Sequence, residues 1–206
     1  MTSLPDSWHR AWRAAGARDH PLLGRQLLAC YAEPQRGYHT VQHLGECIAA
    51  FEPVMALAEH TGEVEVALWF HDAIYDVRSQ DNEQRSADWA AAALAASGAP
   101  HETAARVHTL ILATRHSALP ESPDAKLLVD IDLAILGAAP ARFDEYELQV
   151  RKEYAWVPEA VFREKRRVVL QQFLARPVIY STAAIHNALE ASARRNLRRS
   201  IAQLEA

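Results

Sequence analysis

A helical pattern runs through this chain almost without interruption, and that narrows its possible folds more than any other feature. No stretch alternates apolar and polar residues long enough to read as a strand, and no Asn-Gly or Asp-Gly pair marks a hairpin. Only seven glycines occur in 206 residues. Ala-rich segments such as Ser86 to Ser97 and Thr182 to Leu204 add high intrinsic helix propensity. The expectation is an all-α fold, a compact helical bundle with additional helices at both ends.

Turn chemistry divides the pattern into ten helices, near 6–15, 20–32, 39–60, 63–77, 83–97, 101–116, 123–136, 140–155, 159–175 and 181–204. The seventh is the best delimited. Ser122 can cap it, Pro123 suits its first turn, and Gly137 can take a left-handed conformation just past its end. No repeat, low-complexity linker or composition shift marks a boundary, so a single domain spanning 1–206 is expected.

No apolar run reaches the roughly 18 residues of a membrane span. A net charge of −4 is far from the basic footprint of a nucleic-acid-binding protein. The cluster Arg194, Arg195, Arg198 and Arg199 reads as a solvated helix face. Met1 to Asp6 lacks the basic-then-apolar build of a signal peptide. Cys30 and Cys47 have no partners at metal-ligand spacing and read as small buried thiols. The expected setting is the reducing cytoplasm.

Four clusters carry chemistry: Tyr38 to His43, Phe70 to Asp76, Arg115-His116, and Val129 to Leu133. Each places ionisable groups inside apolar helical sequence, where an uncompensated charge is very costly. In Leu68-Trp69-Phe70-His71-Asp72-Ala73-Ile74-Tyr75 a His-Asp pair interrupts an apolar run. A divalent cation is the strongest compensation for an imidazole beside a carboxylate. Mixed nitrogen and oxygen ligation suits Mn, Fe, Co, Ni or Zn and admits Mg. His39 and His43 are four apart and share a face if both are helical. Thr40 stands where a zinc protease needs glutamate, and neither a nucleophile elbow nor a Gly-rich phosphate loop is present.

The order His, His-Asp, Asp on successive helices resembles the HD superfamily of metal-dependent phosphohydrolases, over roughly residues 30–180. The phrases Tyr38-His39-Thr40-Val41-Gln42-His43-Leu44, Trp69 to Asp76, Asp81-Asn82-Glu83 and Asp130 to Gly137 are similar to those of a little-characterised branch of it. The resemblance implies His43, His71, Asp72 and a final aspartate as metal ligands. Asp130 and Asp132 compete for that last place. Residues two apart on a helix point about 200° away from each other, so both should not face one ion. Asp132-Leu133-Ala134 is similar to the Asp-Leu-Ser segment of the superfamily's cyclic-nucleotide phosphodiesterases, which favours Asp132.

By the same resemblance His39 is a candidate leaving-group acid. Thr40 departs from the asparagine of that motif. Asp76 occupies the second place of an acidic pair that serves the attacking water in guanosine-tetraphosphate hydrolases, whereas Tyr75 replaces its first member. His108 and His116 are candidates for lining the site. Arg36, Arg115, Lys126, Arg151 and Lys152 are candidates for contacting phosphate, and Trp69, Phe70 and Tyr75 for walling a base, with core packing the alternative. A metal in such a site acidifies a bound water and polarises a phosphoryl oxygen. The implied reaction is therefore hydroxide attack at phosphorus in a nucleotide or other small phosphorylated metabolite. Di-iron oxygenases of the superfamily and a non-catalytic ligand sensor are the alternatives.

Overall fold

The computed structural model describes residues 3–116 and 118–205. Among them are ten α-helices and no strand. The chain divides into two compact units, with the boundary between Asp132 and Leu133. No sequence signal marks it, because the boundary falls inside the stretch Leu127 to Leu136, apolar apart from Asp130 and Asp132, and not at a polar linker.

The first unit contains α1 (Leu4–Ala14), α2 (Pro21–Tyr31), α3 (Val41–Phe51), a 3-10 turn (Glu52–Leu57), α4 (Thr61–Phe70), α5 (Asn82–Ala96), α6 (His101–Ala113) and α7 (Pro123–Asp132). Caps set several of the starts. Ser3 Oγ accepts from the Asp6 N–H, His20 Nδ1 from Leu23 and Ser122 Oγ from Ala125, while Pro5, Pro21 and Pro123 occupy first turns. Gly16 and Gly98 take positive φ just past α1 and α5, where a side chain would be strained.

Helix α4 is the centre of this unit. All its residues from Gly62 to Phe70 are buried, and it packs against α1, α3, α5, α6 and α7. A helix that is buried all round must pair its charged residues. Glu63 takes two hydrogen bonds from Arg106, at 2.7 and 2.6 Å. Glu65 accepts from Ser7 Oγ at 2.6 Å and pairs with Arg10. Trp69 Nε1 donates to the same Ser7 hydroxyl.

Helices α1 and α4 cross so closely at Gly62 that a Cβ there would lie 2.5 Å from the Ala14 carbonyl carbon and the Ala15 nitrogen. Those are backbone atoms and cannot rotate away. Gly62→Ala is expected to destabilise the protein by about 1–3 kcal/mol or more, the range for overpacking. Urea unfolding measures this, and an unchanged midpoint would refute the close crossing.

The second unit contains a 3-10 turn (Leu133–Gly137), α8 (Pro140–Glu153), α9 (Glu159–Ala175) and α10 (Ala183–Glu205). Asn196 Nδ2 on α10 donates to the Leu136 and Ala138 carbonyls, each at 2.9 Å. Gly137 does not take the left-handed conformation expected of it. It is needed for space instead, since a Cβ would lie 2.7 Å from Leu189 Cβ. Arg194 pairs with Glu190 and Arg199 with Asp144, so the arginine cluster is partly engaged within its own unit and is not simply a solvated face.

Candidate metal centre

Of the expected helices the third starts late and the fourth ends early, and both boundaries shape the site. The third begins at Val41, with Thr40 as its cap: the Thr40 hydroxyl accepts from the Gln42 N–H. His39 therefore precedes the helix, and the shared-face argument for His39 and His43 does not apply. The fourth stops at Phe70, leaving His71 as its capping residue.

Long-range side chains replace the helical hydrogen bonds beyond that point. The Arg36 guanidinium donates to the carbonyls of Asp72 at 2.6 Å and Ala73 at 3.1 Å, and also to His39 at 3.1 Å. Asp72 N–H donates to the Tyr31 hydroxyl, and Ile74 N–H to the Ser86 hydroxyl. Arg36 is thus a buried brace between the His39 segment and the His-Asp turn, not the phosphate-facing residue that sequence suggested.

This frame brings His43 from α3, His71 and Asp72 from the end of α4, and Asp132 from the last turn of α7 to one point. His43 Nε2 lies 3.1 Å from His71 Nε2, 3.2 Å from Asp132 Oδ1 and 3.4 Å from Asp72 Oδ2. His71 Nε2 lies 2.9 Å from Asp72 Oδ2 and 3.5 Å from Asp132 Oδ1. Donor atoms about 2.0–2.2 Å from one ion, at angles of about 90–110°, are roughly 2.8–3.6 Å apart. The observed spacings all fall in that range. His71 Nδ1 donates to the Leu68 carbonyl at 2.8 Å, which fixes the tautomer and turns the Nε2 lone pair inward.

Cys47, read from sequence as an ordinary thiol, belongs to the same group. Ligand atoms of His43, Cys47, His71 and Asp132 all lie within 4.8 Å of one another, a donor set able to hold a metal ion. The i,i+4 spacing that sequence assigned to His39 and His43 belongs in the structure to His43 and Cys47, one turn apart on α3.

Both imidazoles are buried, whereas the Asp72 and Asp132 side chains keep 16% and 13% exposure. The carboxylates thus mark the open side. Burial disfavours charge on His43 and His71. The opposing groups win: Cys47, Tyr38, Asp132 and Asp72 raise His43 well above its ordinary 6.5, and Asp72, Tyr31 and Asp132 do the same for His71. Burial likewise opposes ionisation of the aspartates. His71, His39 and His43 nevertheless hold Asp72 well below its usual range, and His116, His43 and His71 hold Asp132 there.

The other candidates separate clearly. His116 lies past the end of α6, at φ +54°, an uncommon conformation for a non-glycine residue. Its Nε2 meets Asp132 Oδ2 at 3.0 Å, so the two oxygens of Asp132 serve different partners. His108 instead joins Asp88 at 2.9 Å on the α5–α6 surface. Asp130 is fully buried and is not part of the group. His39 stacks on Tyr75, with ring centroids 4.1 Å apart, and lies 5.8 Å from the His43 ring. Asp76 is exposed, and its carboxylate accepts from the Arg78 N–H. Trp69 and Phe70 are core residues. Arg115 lies beside Glu83 and Gln84, Lys126 is half-buried on α7, and Arg151 and Lys152 belong to the second unit.

A second group, Glu59, His60 and Asp124, also brings ligand atoms together. Asp124 accepts from the Glu59 and His60 N–H groups at 2.7 and 3.1 Å and meets His60 Nδ1 at 2.9 Å. It ties the start of α7 to the start of α4, which is a structural task. Among the described residues no helix is long and apolar enough to cross a membrane.

No family model, no curated protein and no solved structure matches this chain.

Proposed function

We propose that the protein is a metal-dependent phosphohydrolase of the HD type, acting on a nucleotide or another small phosphorylated metabolite. The observation that carries this reading is that the Nε2 atoms of His43 and His71 lie 3.1 Å apart and each lies 2.9–3.5 Å from the carboxylates of Asp72 and Asp132. His43, His71, Asp72 and Asp132 would hold the ion. A bound divalent cation supplies an acidified water and a Lewis acid for a phosphoryl oxygen. His39, half-buried against Tyr75 and electrostatically coupled to Asp72, is placed to donate a proton to a leaving oxygen. Asp132 is oriented by His116 on its far oxygen. Asp76 has no part in this proposal, because its carboxylate is engaged in a local turn.

The test is a screen of phosphorylated metabolites with added Mn, Co, Ni or Mg, run beside His71→Ala and Asp72→Ala. Metal-dependent phosphate release by wild type alone is expected. Release no faster than in both variants across the panel, or two irons per chain with oxygen-dependent turnover, would overturn the proposal.

Proton linkage gives a second test. In the metal-free protein, raised imidazole pKa values contribute stability that is fully present below 6.5 and lost as pH rises through the folded values. The depressed aspartates contribute stability above 3.8 that is lost as pH falls. The melting temperature of metal-free protein should therefore fall as pH moves from mildly acidic to alkaline, and metal should restore it. Metal must displace the imidazole protons, and the proton of any thiol that ligates, so affinity rises with pH and loading near pH 6 releases a net number of protons above zero. Calorimetry in buffers of different ionisation enthalpy reads that number, and zero release would contradict the charge balance described.

A further inference from the structure

We propose that Cys47 supplies a sulfur ligand to the ion held by His43, His71 and Asp132, making the centre selective for zinc, cobalt or iron(II) over magnesium. This rests on the reading of that cluster as a metal centre. Three observations carry it. Cys47 is 2% exposed and sits one turn along α3 from His43, on the same face. Its Sγ lies 3.7 Å from His43 Nε2, the nitrogen that faces the cluster. For metal–sulfur and metal–nitrogen bonds of about 2.3 and 2.0–2.1 Å at a tetrahedral ion, the two donors lie about 3.5–3.6 Å apart.

The alternative task for the thiol is to orient His43 through a hydrogen bond to Nδ1. The sulfur is also 3.7 Å from Nδ1, so it does not single that atom out. Equidistance singles out neither nitrogen: a sulfur sharing an ion with Nε2 stands about 5 Å from Nδ1, so ligation requires the Cys47 side chain to rotate about χ1 on loading. Plain packing is the other alternative, and it predicts no effect of Cys47 on the metal.

With Cys47 the group whose ligand atoms lie within 4.8 Å of one another offers two imidazoles, the Asp132 carboxylate and one thiol, and Asp72 adjoins its two imidazoles. Thiolate ligation favours thiophilic and borderline ions, whereas Mg prefers an all-oxygen shell. On loading, the S–H bond breaks, its proton passes to water and a metal–sulfur bond forms, with no change of oxidation state. Metal ligation at Cys47 was not legible from cysteine spacing, because its partners are histidines and an aspartate on three helices.

Cobalt(II) absorption tests this directly. Wild type, Cys47→Ser and Cys30→Ala are loaded anaerobically with cobalt, and circular dichroism checks that each retains its helices. Wild type and Cys30→Ala should show a near-ultraviolet sulfur-to-cobalt charge-transfer band. Cys47→Ser should lose that band while keeping the visible d–d bands of bound cobalt. Visible bands without a charge-transfer band in wild type, or a band that survives Cys47→Ser, would overturn the cysteine assignment and leave the His-Asp centre standing. No cobalt uptake by wild type would overturn both.

Discussion

Asp72→Asn, which removes a charge and keeps the side chain's shape, is expected to weaken metal binding by more than about 100-fold. Loss of residues that merely orient a ligand already weakens binding by 10–100-fold, and Asp72 stands closer to the centre than those. Its Oδ2 lies 2.9 Å from His71 Nε2 and 3.4 Å from His43 Nε2. Phosphate release should fall to the uncatalysed level at metal concentrations that saturate wild type. The fold should persist, because the backbone N–H and carbonyl of Asp72 keep their bonds to Tyr31 and Arg36. Competition titration against a coloured chelator gives the affinity. Equal affinity in Asp72→Asn and wild type would remove Asp72 from the ligand set.

Arg36→Ala is expected to destabilise the protein by about 3–5 kcal/mol, the range for breaking a buried charged network. The Arg36 side chain is fully buried. Its guanidinium serves three main-chain carbonyls and Glu33, and lies over the rings of Tyr31 and Tyr75 at 5.2 and 5.5 Å. Truncation leaves those carbonyls without their donor, and each buried unsatisfied group costs about 1–3 kcal/mol. Lysine should recover only part of the loss, since an ammonium cannot reproduce the planar fork. Because the brace joins the His39 segment to the His-Asp turn, metal affinity should fall in both variants. Thermal unfolding with and without metal measures both effects, and a melting temperature within a degree or two of wild type would show that the brace is dispensable.

Much of the helical architecture is legible in the sequence. Ser122-Pro123 and the Ser97-Gly98-Ala99-Pro100 break are chemical signals that act locally, and α5 ends and α6 and α7 begin close to where those signals place them. Helix ends are less legible where distant side chains decide them. Nothing between residues 63 and 77 announces that α4 stops at Phe70, because Arg36, Tyr31 and Ser86 supply the alternative partners from elsewhere in the chain. The same limit hid the unit boundary, which follows Asp132 within a largely apolar stretch with no turn or linker chemistry.

The site divides along the same line. The His71-Asp72 pair stands out because charge inside an apolar helix requires compensation, and helix geometry says that only one of Asp130 and Asp132 faces the ion, while the choice of Asp132 rests on the family resemblance. Arg36 and Cys47 could not be placed that way. An arginine beside a motif reads equally as a solvent-facing phosphate contact or an inward brace, and only the positions of the Asp72 and Ala73 carbonyls distinguish them. His116 lies between these cases. It was a candidate from sequence, but its link to Asp132 depends on α6 ending at Ala113, three residues earlier than the periodicity suggests.

Elemental analysis after equilibration with zinc, cobalt, nickel, manganese or magnesium and removal of free ion bears most directly on the proposed centre. It should be run on wild type beside the double variant His71→Ala/Asp72→Ala, with circular dichroism to show that both are folded. One divalent ion per wild-type chain, and none above background in the variant, is the predicted result. Equal metal content in the two proteins, or none in either with every ion, would contradict a metal centre built on His43, His71, Asp72 and Asp132.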